Sequence, residues 1–354
     1  MIIVFKSNIT RKKEEAVLKE IKRLGYRPHI MRGVARTVVG AIGDELTHKS
    51  LEALATQFPD AVESVMPVQK RFKLVSREAH PANSTIAVRG TVIGGRKVQV
   101  MAGPCSVENE KQLLATAHAV RAAGATVLRG GAFKPRTSPY EFQGLGEKGL
   151  KLLAKARKET GLAVITELLS EDHAELVAEY ADIIQIGARN SQNFQLLIAA
   201  AKTGKPILLK RGLAMRIEEW LLAGEYVLSN GNPGLMFCER GIRTFETALR
   251  NTFDVAAIAL LKHISHLPVM ADPSHAAGHR DLVPALARIA VAAGADGLLI
   301  EVHPNPEKAW SDGEQTLSFA EFDDMMESLD PYLALRRPHI HAAVTAEPVW
   351  EAVG

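Results

Sequence analysis

The chain has 354 residues, of which 47% are hydrophobic and 23% are charged, and this balance excludes a disordered or collagen-like protein. Aromatic residues make up only 5%, which argues against stacking surfaces for single-stranded nucleic acid. No apolar run approaches the roughly 20 residues that span a bilayer, and the 2 cysteines cannot form a disulfide framework. We therefore expect a cytoplasmic protein whose partners are neither nucleic acid nor membrane.

The net charge of +3 is unevenly distributed along the chain. Residues 1–80 contain 15 Lys and Arg against 9 Asp and Glu, whereas the remaining residues contain 28 against 31. A solvated basic helix face explains the N-terminal excess better than a nucleic-acid site does. The body of the chain is not a general polyanion binder, so an anion site there must come from individually placed residues.

The first 68 residues have the pattern of a small α/β module. A helical pattern begins at Thr10, carries Val17 and Ile21 on one face, and ends at Gly25. The predicted elements in chain order are strand Met1–Phe5, the helix from Thr10, strands Pro28–Met31 and Ala35–Ile42, a helix from Thr47, and strand Val62–Val68. The order β-α-β-β-α-β predicts a ferredoxin-like domain.

Residues 69–97 are predicted to form a linker and a hairpin that caps the next domain. A basic stretch and a Pro/Asn/Ser segment come first. The runs Thr85–Val92 and Lys97–Met101 then predict two strands joined at Gly94-Gly95. At the other end of the chain, residues 331–354 show no clear pattern, and their role is not predicted.

Residues 98–330 alternate short apolar strands with helical stretches. The helices are predicted at Lys111–Ala123, Gly149–Thr160, Ser170–Glu179 and Leu282–Ala293. The strands are predicted at Val98–Ala102, Thr126–Arg129, Ala163–Glu167, Ile183–Gly187, Pro206–Lys210, Leu235–Glu239, Pro268–Asp272 and Gly297–Glu301. Parallel strands that are buried on both faces are continuously apolar, and eight βα units predict an α/β fold of the (β/α)8 TIM-barrel type. A doubly wound sheet is the alternative.

Polar residues follow all eight predicted strands, at the carboxyl ends where such a barrel has its active site. Six are cations: Arg129, Lys134, Arg136, Arg189, Lys210 and Arg240. Gathered on one rim, they would repel one another and lose hydration unless anions neutralised them. Because the arginine fork matches carboxylate and phosphate, this set predicts substrates with several negative charges.

A second group at the same strand ends predicts a metal site. Cys105, His275, Glu301 and Asp312 offer a thiolate, an imidazole and two carboxylates, which together can bind one divalent transition metal. Their spacing forms no compact motif, so the prediction depends on their shared position at strand ends. These mixed ligands do not choose among Mn, Fe, Co, Zn and Cu, and Mn²⁺ is the ion we favour for an assay.

Five runs resemble the 3-deoxy-D-arabino-heptulosonate 7-phosphate (DAHP) synthase family, most closely its type I beta branch. They are Gly103–Glu108, Lys134–Ser138, Ile186–Asn190, Asp272–His275 and Glu301–Pro304. The resemblance implies a metal-dependent condensation of phosphoenolpyruvate with D-erythrose 4-phosphate and water. The products would be DAHP and phosphate, in the first step of the shikimate pathway to the aromatic amino acids.

The resemblance also implies a role for individual residues. It implies Cys105, His275, Glu301 and Asp312 as metal ligands. It assigns Arg129, Lys134, Arg189, Lys210 and Arg240 to phosphoenolpyruvate, and Pro135, Arg136 and Thr137 to erythrose 4-phosphate. Lys134, Glu167 and His275 are the expected catalytic residues. Whether Glu167, Lys134 or a water at the metal is the general acid or base stays open.

The type I beta branch includes members with an N-terminal ferredoxin-like regulatory module. The resemblance therefore implies that residues 1–68 bind a feedback effector, tyrosine or phenylalanine, and that the chain forms a homo-oligomer, expected to be a tetramer.

Three other functions stay open. The sister enzyme 3-deoxy-D-manno-octulosonate 8-phosphate synthase shares the barrel and phosphoenolpyruvate, but it has an Ala-Asn-Arg-Ser type of run where this chain has Lys134–Ser138. A class I aldolase would use Lys210 to form a Schiff base. A metal and phosphosugar sensor would bind without turnover.

Overall fold

The computed structural model describes residues 1–7, 9–32, 37–43, 51–66, 71–136, 138–335 and 350–351. Ala35, Thr47, Val68 and Thr137, which the sequence analysis placed in elements or in the substrate site, lie outside the described residues. No helix within the described ranges is long and apolar enough to cross a membrane.

The N-terminal module is a four-stranded antiparallel sheet with helices packed on it. Its elements are β1 (Ile2–Phe5), α1 (Arg11–Arg23), β2 (Arg27–Arg32), β3 (Thr37–Ile42), α2 (Leu54–Gln57) and β4 (Val62–Met66). The strands lie in the order β2-β3-β1-β4. Helix α1 buries Val17 and Ile21 in one cluster with Ile3 and Phe5 of β1, as its apolar spacing predicts. The ferredoxin-like fold is confirmed.

A hairpin fills the amino-terminal end of the barrel. Strands β5 (Ile86–Val88) and β6 (Thr91–Ile93) pair antiparallel across a turn at Arg89-Gly90. The prediction of a turn at Gly94-Gly95 was wrong, because Arg89 and Gly90 both adopt positive φ, 44° and 76°, as a two-residue hairpin turn requires. The predicted second strand instead belongs to the barrel wall.

Apolar side chains of the hairpin enter the barrel interior. Ile86, Val88 and Ile93 join the cluster formed by inward-facing strand residues such as Met101 and Leu299. Burial of such side chains stabilises by about 1.5–3 kcal/mol each, so the hairpin is part of the barrel core. A further strand, β15 (Trp350–Glu351), pairs parallel with β5.

The remaining chain forms a closed barrel of eight parallel strands. They are β7 (Gln99–Gly103), β8 (Val127–Arg129), β9 (Ala163–Leu168), β10 (Ile183–Ile186), β11 (Ile207–Lys210), β12 (Leu235–Glu239), β13 (Val269–Ala271) and β14 (Gly297–Glu301). Strand β14 pairs with β7 and closes the ring. The TIM barrel is confirmed, and closure excludes the doubly wound sheet.

Helices surround the strands. They are α3 (Glu110–Ala122), α4 (Glu147–Thr160), α5 (Ala174–Tyr180), α6 (Phe194–Lys202), α7 (Ile217–Ser229), α8 (Val255–Ile264), α9 (Pro273–Ala277), α10 (Val283–Ala292), α11 (Phe319–Ser328) and α12 (Asp330–Leu335). The predicted helix Ser170–Glu179 starts later than expected, because Glu171–His173 form a 3-10 turn that the Ser170 hydroxyl caps.

The linker between the two domains packs against α7 and the end of α8. The Glu225 carboxylate on α7 accepts the backbone N–H groups of Lys73 (2.6 Å) and Val75 (3.0 Å). Arg27 of the N-terminal sheet donates a hydrogen bond to the carbonyl of Ser229, at the end of the same helix. One helix of the barrel therefore holds both the linker and the N-terminal domain.

His266 fastens the linker to the barrel from the other side. Its Nδ1 lies 2.6 Å from the Ser84 hydroxyl and its Nε2 lies 2.8 Å from the Leu74 carbonyl. Burial, followed by the nearby His80 and Arg77, lowers the pKa of His266 to about 3. The folded protein therefore keeps this imidazole neutral.

Acidification is expected to destabilise this contact. Below its ordinary pKa near 6.5 the unfolded chain binds a proton that folded His266 rejects, so stability falls as pH drops from about 6.5 toward 3. Between pH 7 and pH 5 this loss is about 2 kcal/mol. Urea unfolding at both pH values should show a smaller loss for His266→Gln than for the parent. His118→Gln, at an exposed histidine, is the control, and equal losses in all three proteins would contradict the assignment.

Candidate active site and metal centre

A cavity of about 330 Å³ opens at the carboxyl ends of the barrel strands. Residues that the sequence analysis selected line it: Arg129, Lys134, Pro135, Arg136, Glu167, Arg189, Lys210, Arg240, His275 and Asp312. The structure therefore brings together the predicted cations and part of the predicted metal site. Thr137 is the one selected residue outside the described ranges.

Four donor side chains meet at one side of this cavity. The ligand atoms of Cys105, Glu301 and Asp312 all lie within 4.8 Å of one another. His275 Nε2 lies 3.6 Å from Glu301 Oε1 and 3.8 Å from Asp312 Oδ2. A sulfur and two carboxylate oxygens close together, with a ring nitrogen beside the two carboxylates, form a donor set that suits a divalent transition metal.

The protonation states of the cluster support this fit. Although burial opposes ionisation, His275 and Arg129 lower the pKa of Glu301, and His275 and the Cys105 thiol lower that of Asp312. Burial lowers the pKa of His275, which leaves the neutral imidazole that a metal needs. Burial, together with Glu301 and Asp312, raises the pKa of Cys105 to about 12. The protonated Cys105 thiol donates a hydrogen bond to Asp312 Oδ2, with 3.0 Å between sulfur and oxygen. A bound metal would replace that proton.

The loops that carry these ligands are held by close backbone packing. A Cβ at Gly103, which has φ +152°, would lie 2.1 Å from the Arg129 carbonyl oxygen, so only glycine lets β7 and β8 end side by side there. Glu108 fixes the loop that bears Asp312, because it accepts the backbone N–H of Trp310 at 2.8 Å and contacts His303 Nε2 at 3.3 Å. Cys105 and Asp312 therefore face each other on loops that are tied together.

Some of the cations that line the cavity are paired with a carboxylate, and others are not. Arg129 pairs with Glu301 at 2.7 Å and Lys210 with Asp272 at 2.5 Å. Four other cations that line the cavity have no carboxylate within 4 Å in the described part of the chain: Lys134, Arg189, Arg240 and Arg243. Arg240 Nη1 is buried and has no hydrogen-bond partner there. A buried guanidinium left in this state is costly, and a bound anion would satisfy it.

Glu167 stands at the end of β9 beside the next strand. A Cβ at Gly187 would lie only 1.9 Å from Glu167 Oε1. The glycine therefore leaves the space in which this carboxylate faces the cavity. The position suits a group that exchanges a proton with a ligand in the cavity.

The structure adds site residues that sequence reasoning did not select. Asp272 contacts Lys210 Nζ and also lies 2.8 Å from His275 Nδ1. The Asp-Pro-Ser-His run could have pointed to Asp272, because an acidic residue before a proline is a common helix start. Arg243 and Arg250 line the cavity from the loop between β12 and α8, and no pattern in the sequence separates them from surface arginines.

Beneath the cavity, Arg211 joins two acidic residues. Its guanidinium bonds Glu239 at 2.9 Å and Asp254 at 2.7 Å and lies over the ring of Trp220. Arg211 follows Lys210 in the chain and Glu239 precedes Arg240. The network therefore restricts the backbone next to both cavity cations.

Comparisons with known proteins agree with this arrangement. The model of the DAHP synthetase I family matches residues 76–334, and that of the DAHP synthase ferredoxin-like domain matches residues 1–70. The phospho-2-dehydro-3-deoxyheptonate aldolase of Thermotoga maritima is 50% identical over 93% of this chain and 96% of its own length. A 2-dehydro-3-deoxyphosphooctonate aldolase of Caulobacter vibrioides is 34% identical over 69% of this chain and 90% of its own.

Two similar solved structures are also those of a DAHP synthase. A crystal structure of the Thermotoga maritima DAHP synthase has a TM-score of 0.75 and 49% identity and covers 94% of this chain and 97% of that one. A truncated form of the Thermotoga protein has a TM-score of 0.71 and 51% identity, and covers 75% of this chain and 97% of that one. The chain is therefore an enzyme of the DAHP synthetase I family, with the DAHP synthase ferredoxin-like domain ahead of its barrel.

Proposed function

We propose that the enzyme condenses phosphoenolpyruvate with D-erythrose 4-phosphate and water, giving DAHP and phosphate, and that it needs one divalent metal ion. One observation carries the proposal: a cavity in which three guanidinium groups have no carboxylate partner among the described residues opens directly beside a Cys, His, Glu and Asp cluster. The substrates together carry a carboxylate and two phosphates. The site therefore has charge for both anions and a metal position next to them.

The cations orient two substrates that would otherwise repel each other. Arg129, Lys134 and Arg240, with 4%, 7% and 5% of their surface exposed, lie deep and suit the carboxylate and phosphate of phosphoenolpyruvate. Arg136, nearer the loop ends, suits the phosphate of the sugar. Holding both substrates in place removes much of the entropic part of the barrier.

The reaction forms one C–C bond to the aldehyde carbon and one C–O bond to water, and it breaks the C–O bond to the phosphate. The methylene carbon of phosphoenolpyruvate attacks the aldehyde carbon, and the aldehyde oxygen takes up a proton. Water adds to the cationic carbon left behind and gives up a proton. Phosphate then leaves with the enol oxygen and takes up a proton, while the new hydroxyl group loses its proton and becomes the ketone. Glu167 and Lys134 face the cavity and are the groups placed to hold these protons.

The metal would be held by Cys105, His275, Glu301 and Asp312. When bound, it supplies Lewis acidity to the carbonyl group of the aldehyde substrate. Lys134 Nζ lies 2.9 Å from Cys105 Sγ, so the lysine also offsets negative charge on the sulfur when the thiol proton is lost.

Phosphate release from phosphoenolpyruvate tests the proposal. Erythrose 4-phosphate and arabinose 5-phosphate are supplied in parallel, each with Mn²⁺ and with a chelator. We expect metal-dependent release with the four-carbon sugar alone. Release with the five-carbon sugar would favour the activity named for the Caulobacter relative, and binding without release in any tube would favour a sensor.

The Schiff-base aldolase is disfavoured by the surroundings of Lys210. Its Nζ lies 2.5 Å from the buried Asp272 carboxylate, and this contact occupies the nitrogen that would have to attack a carbonyl group. Borohydride with substrate is expected to leave Lys210 unlabelled, and its covalent labelling would revive this alternative.

We also propose that residues 1–70 confer feedback inhibition by tyrosine or phenylalanine and that the enzyme is a homotetramer. A variant that begins at Arg71 should keep kcat within about threefold of the full chain and lose inhibition by either amino acid. Its matched control is the full-length protein at the same metal and substrate concentrations. Equal inhibition of both forms would show that the effector binds elsewhere.

The proposed tetramer has a separate test, in which light scattering measures the number of subunits.

A further inference from the structure

Arg250 joins the metal cluster to the open cavity. Its Nη1 donates to Gln315 Oε1 at 2.6 Å and lies 3.5 Å from Asp312 Oδ1. The other end of the same amide, Gln315 Nε2, donates to Glu301 Oε2 at 2.6 Å. One amide therefore fixes both a carboxylate of the metal cluster and a guanidinium group at the cavity rim.

Gln315 can influence a ligand only through the charged side chains that it orients. Only 1% of its surface is exposed, and both ends of its amide are bonded to charged partners. Hydrogen bonds to charged groups are stronger than those between neutral groups, and a buried partner left unpaired is destabilising. The orientations of Arg250 and Glu301 are thus coupled through this one side chain.

The backbone of Arg250 is anchored as firmly as its side chain. Its N–H donates to the Ala277 carbonyl at 3.1 Å. A Cβ at Gly278, which has φ +73°, would lie 2.6 Å from Arg250 Cβ. The next residue, Asn251, donates to the His275 carbonyl at 2.8 Å. The β12–α8 loop is therefore packed at Arg250 against α9, the helix that carries His275.

The guanidinium group retains capacity for a ligand. Of its five N–H donors, the two contacts above use a single nitrogen, and 43% of the side chain is exposed. Arg243, with no carboxylate partner in the described ranges, lines the same cavity from the same loop. Two arginines beside a cluster that would bind the aldehyde end of a substrate suit the phosphate at its other end.

We propose that Arg250 binds the phosphate of the sugar phosphate and that Gln315 is the positioning residue that holds it at a set distance from the metal cluster. The proposal rests on the proposed function for the identity of the sugar. It adds a residue to the second-substrate site and leaves the phosphoenolpyruvate site unchanged.

The test compares Arg250→Ala, Arg250→Lys and Gln315→Met with the parent. Arg250→Ala should raise KM for erythrose 4-phosphate at least tenfold, about 1.4 kcal/mol, and leave KM for phosphoenolpyruvate within twofold. Arg250→Lys should recover part of the loss. The control is Arg121→Ala, at an exposed arginine in the last turn of α3, which should change neither constant. An equal rise in both KM values, or none, would overturn the proposal.

A binding measurement separates this proposal from the proposed function. Erythritol 4-phosphate, which has no aldehyde and cannot react, is titrated into Mn²⁺-loaded enzyme saturated with phosphoenolpyruvate. Its Kd should rise tenfold in Arg250→Ala and in Gln315→Met, and no further in the double variant, because Gln315 acts through Arg250. Additive losses would show a merely structural role for Gln315. If the parent releases no phosphate in the activity assay, the proposed function fails, while these Kd values still decide the role of Arg250.

Discussion

Asp272→Asn is expected to lower kcat at least about 100-fold and to weaken metal binding about 10- to 100-fold. The carboxylate is completely buried, bonds Lys210 Nζ at 2.5 Å and lies 2.8 Å from His275 Nδ1. Despite burial, contacts with His275 and Lys210 hold its pKa well below the usual range, so it is ionised. Asparagine keeps the size of the side chain and removes the charge, which leaves the Lys210 ammonium buried without an anion.

The barrel contains a matched control at its other end. Asp296 is equally buried, bonds Lys262 Nζ at 2.8 Å, and caps the backbone N–H of Val269. Asp296→Asn should cost similar stability in urea unfolding and leave kcat and the Mn²⁺ Kd within about threefold. If both variants lost activity equally, Asp272 would be a stability residue only, and its link between the metal ligand and the substrate cation would be refuted.

Cys105→Ala is expected to abolish stoichiometric metal binding and to reduce phosphate release at least about 1,000-fold. The variant removes the only sulfur donor of the cluster, and its Asp312 partner loses the contact at 3.0 Å. The cluster then loses its soft thiolate donor, and the imidazole and two carboxylates that remain are expected to bind a divalent transition metal much more weakly. Metal content after dialysis, measured by elemental analysis, tests this without any assay of activity.

The second cysteine is the natural comparison. Cys238 is also buried, but it lies in the barrel interior among apolar strand residues. Cys238→Ala should cost about 1–2 kcal/mol of unfolding free energy through the cavity that it leaves, and should retain one metal ion. Full metal retention in Cys105→Ala would remove this residue from the ligand set.

Much of the barrel could be predicted because each strand is a short apolar run with a polar end. Two strands, Leu235–Glu239 and Gly297–Glu301, have the predicted bounds. The hairpin turn could not be predicted, since Gly94-Gly95 is the stronger local signal and the positive φ of Arg89 depends on packing. The start of α5 was missed for a similar reason, because a 3-10 turn and a helix share the same pattern near Ser170.

Site residues could be predicted where they directly follow a strand. They could not be predicted where their position depends on a contact with a residue far away in the sequence. Lys210 and Arg240 come directly after apolar runs, so their convergence follows from the barrel alone. The bond between Arg250 and Gln315 joins residues 65 positions apart, and the contact between Lys210 and Asp272 joins residues 62 apart. Neither separation has a period or motif, and only the closed fold brings these side chains together.

The hairpin inside the amino-terminal end of the barrel has a kinetic consequence. Because Ile86, Val88 and Ile93 pack into that end in the described part of the chain, we expect ligands to enter and leave the cavity at the carboxyl ends of the strands. Arg250, with 43% of its side chain exposed, lies nearer the solvent than Arg129, which is 4% exposed. If Arg250 binds the sugar phosphate as proposed, we expect the substrate of the buried cations to bind before the sugar phosphate.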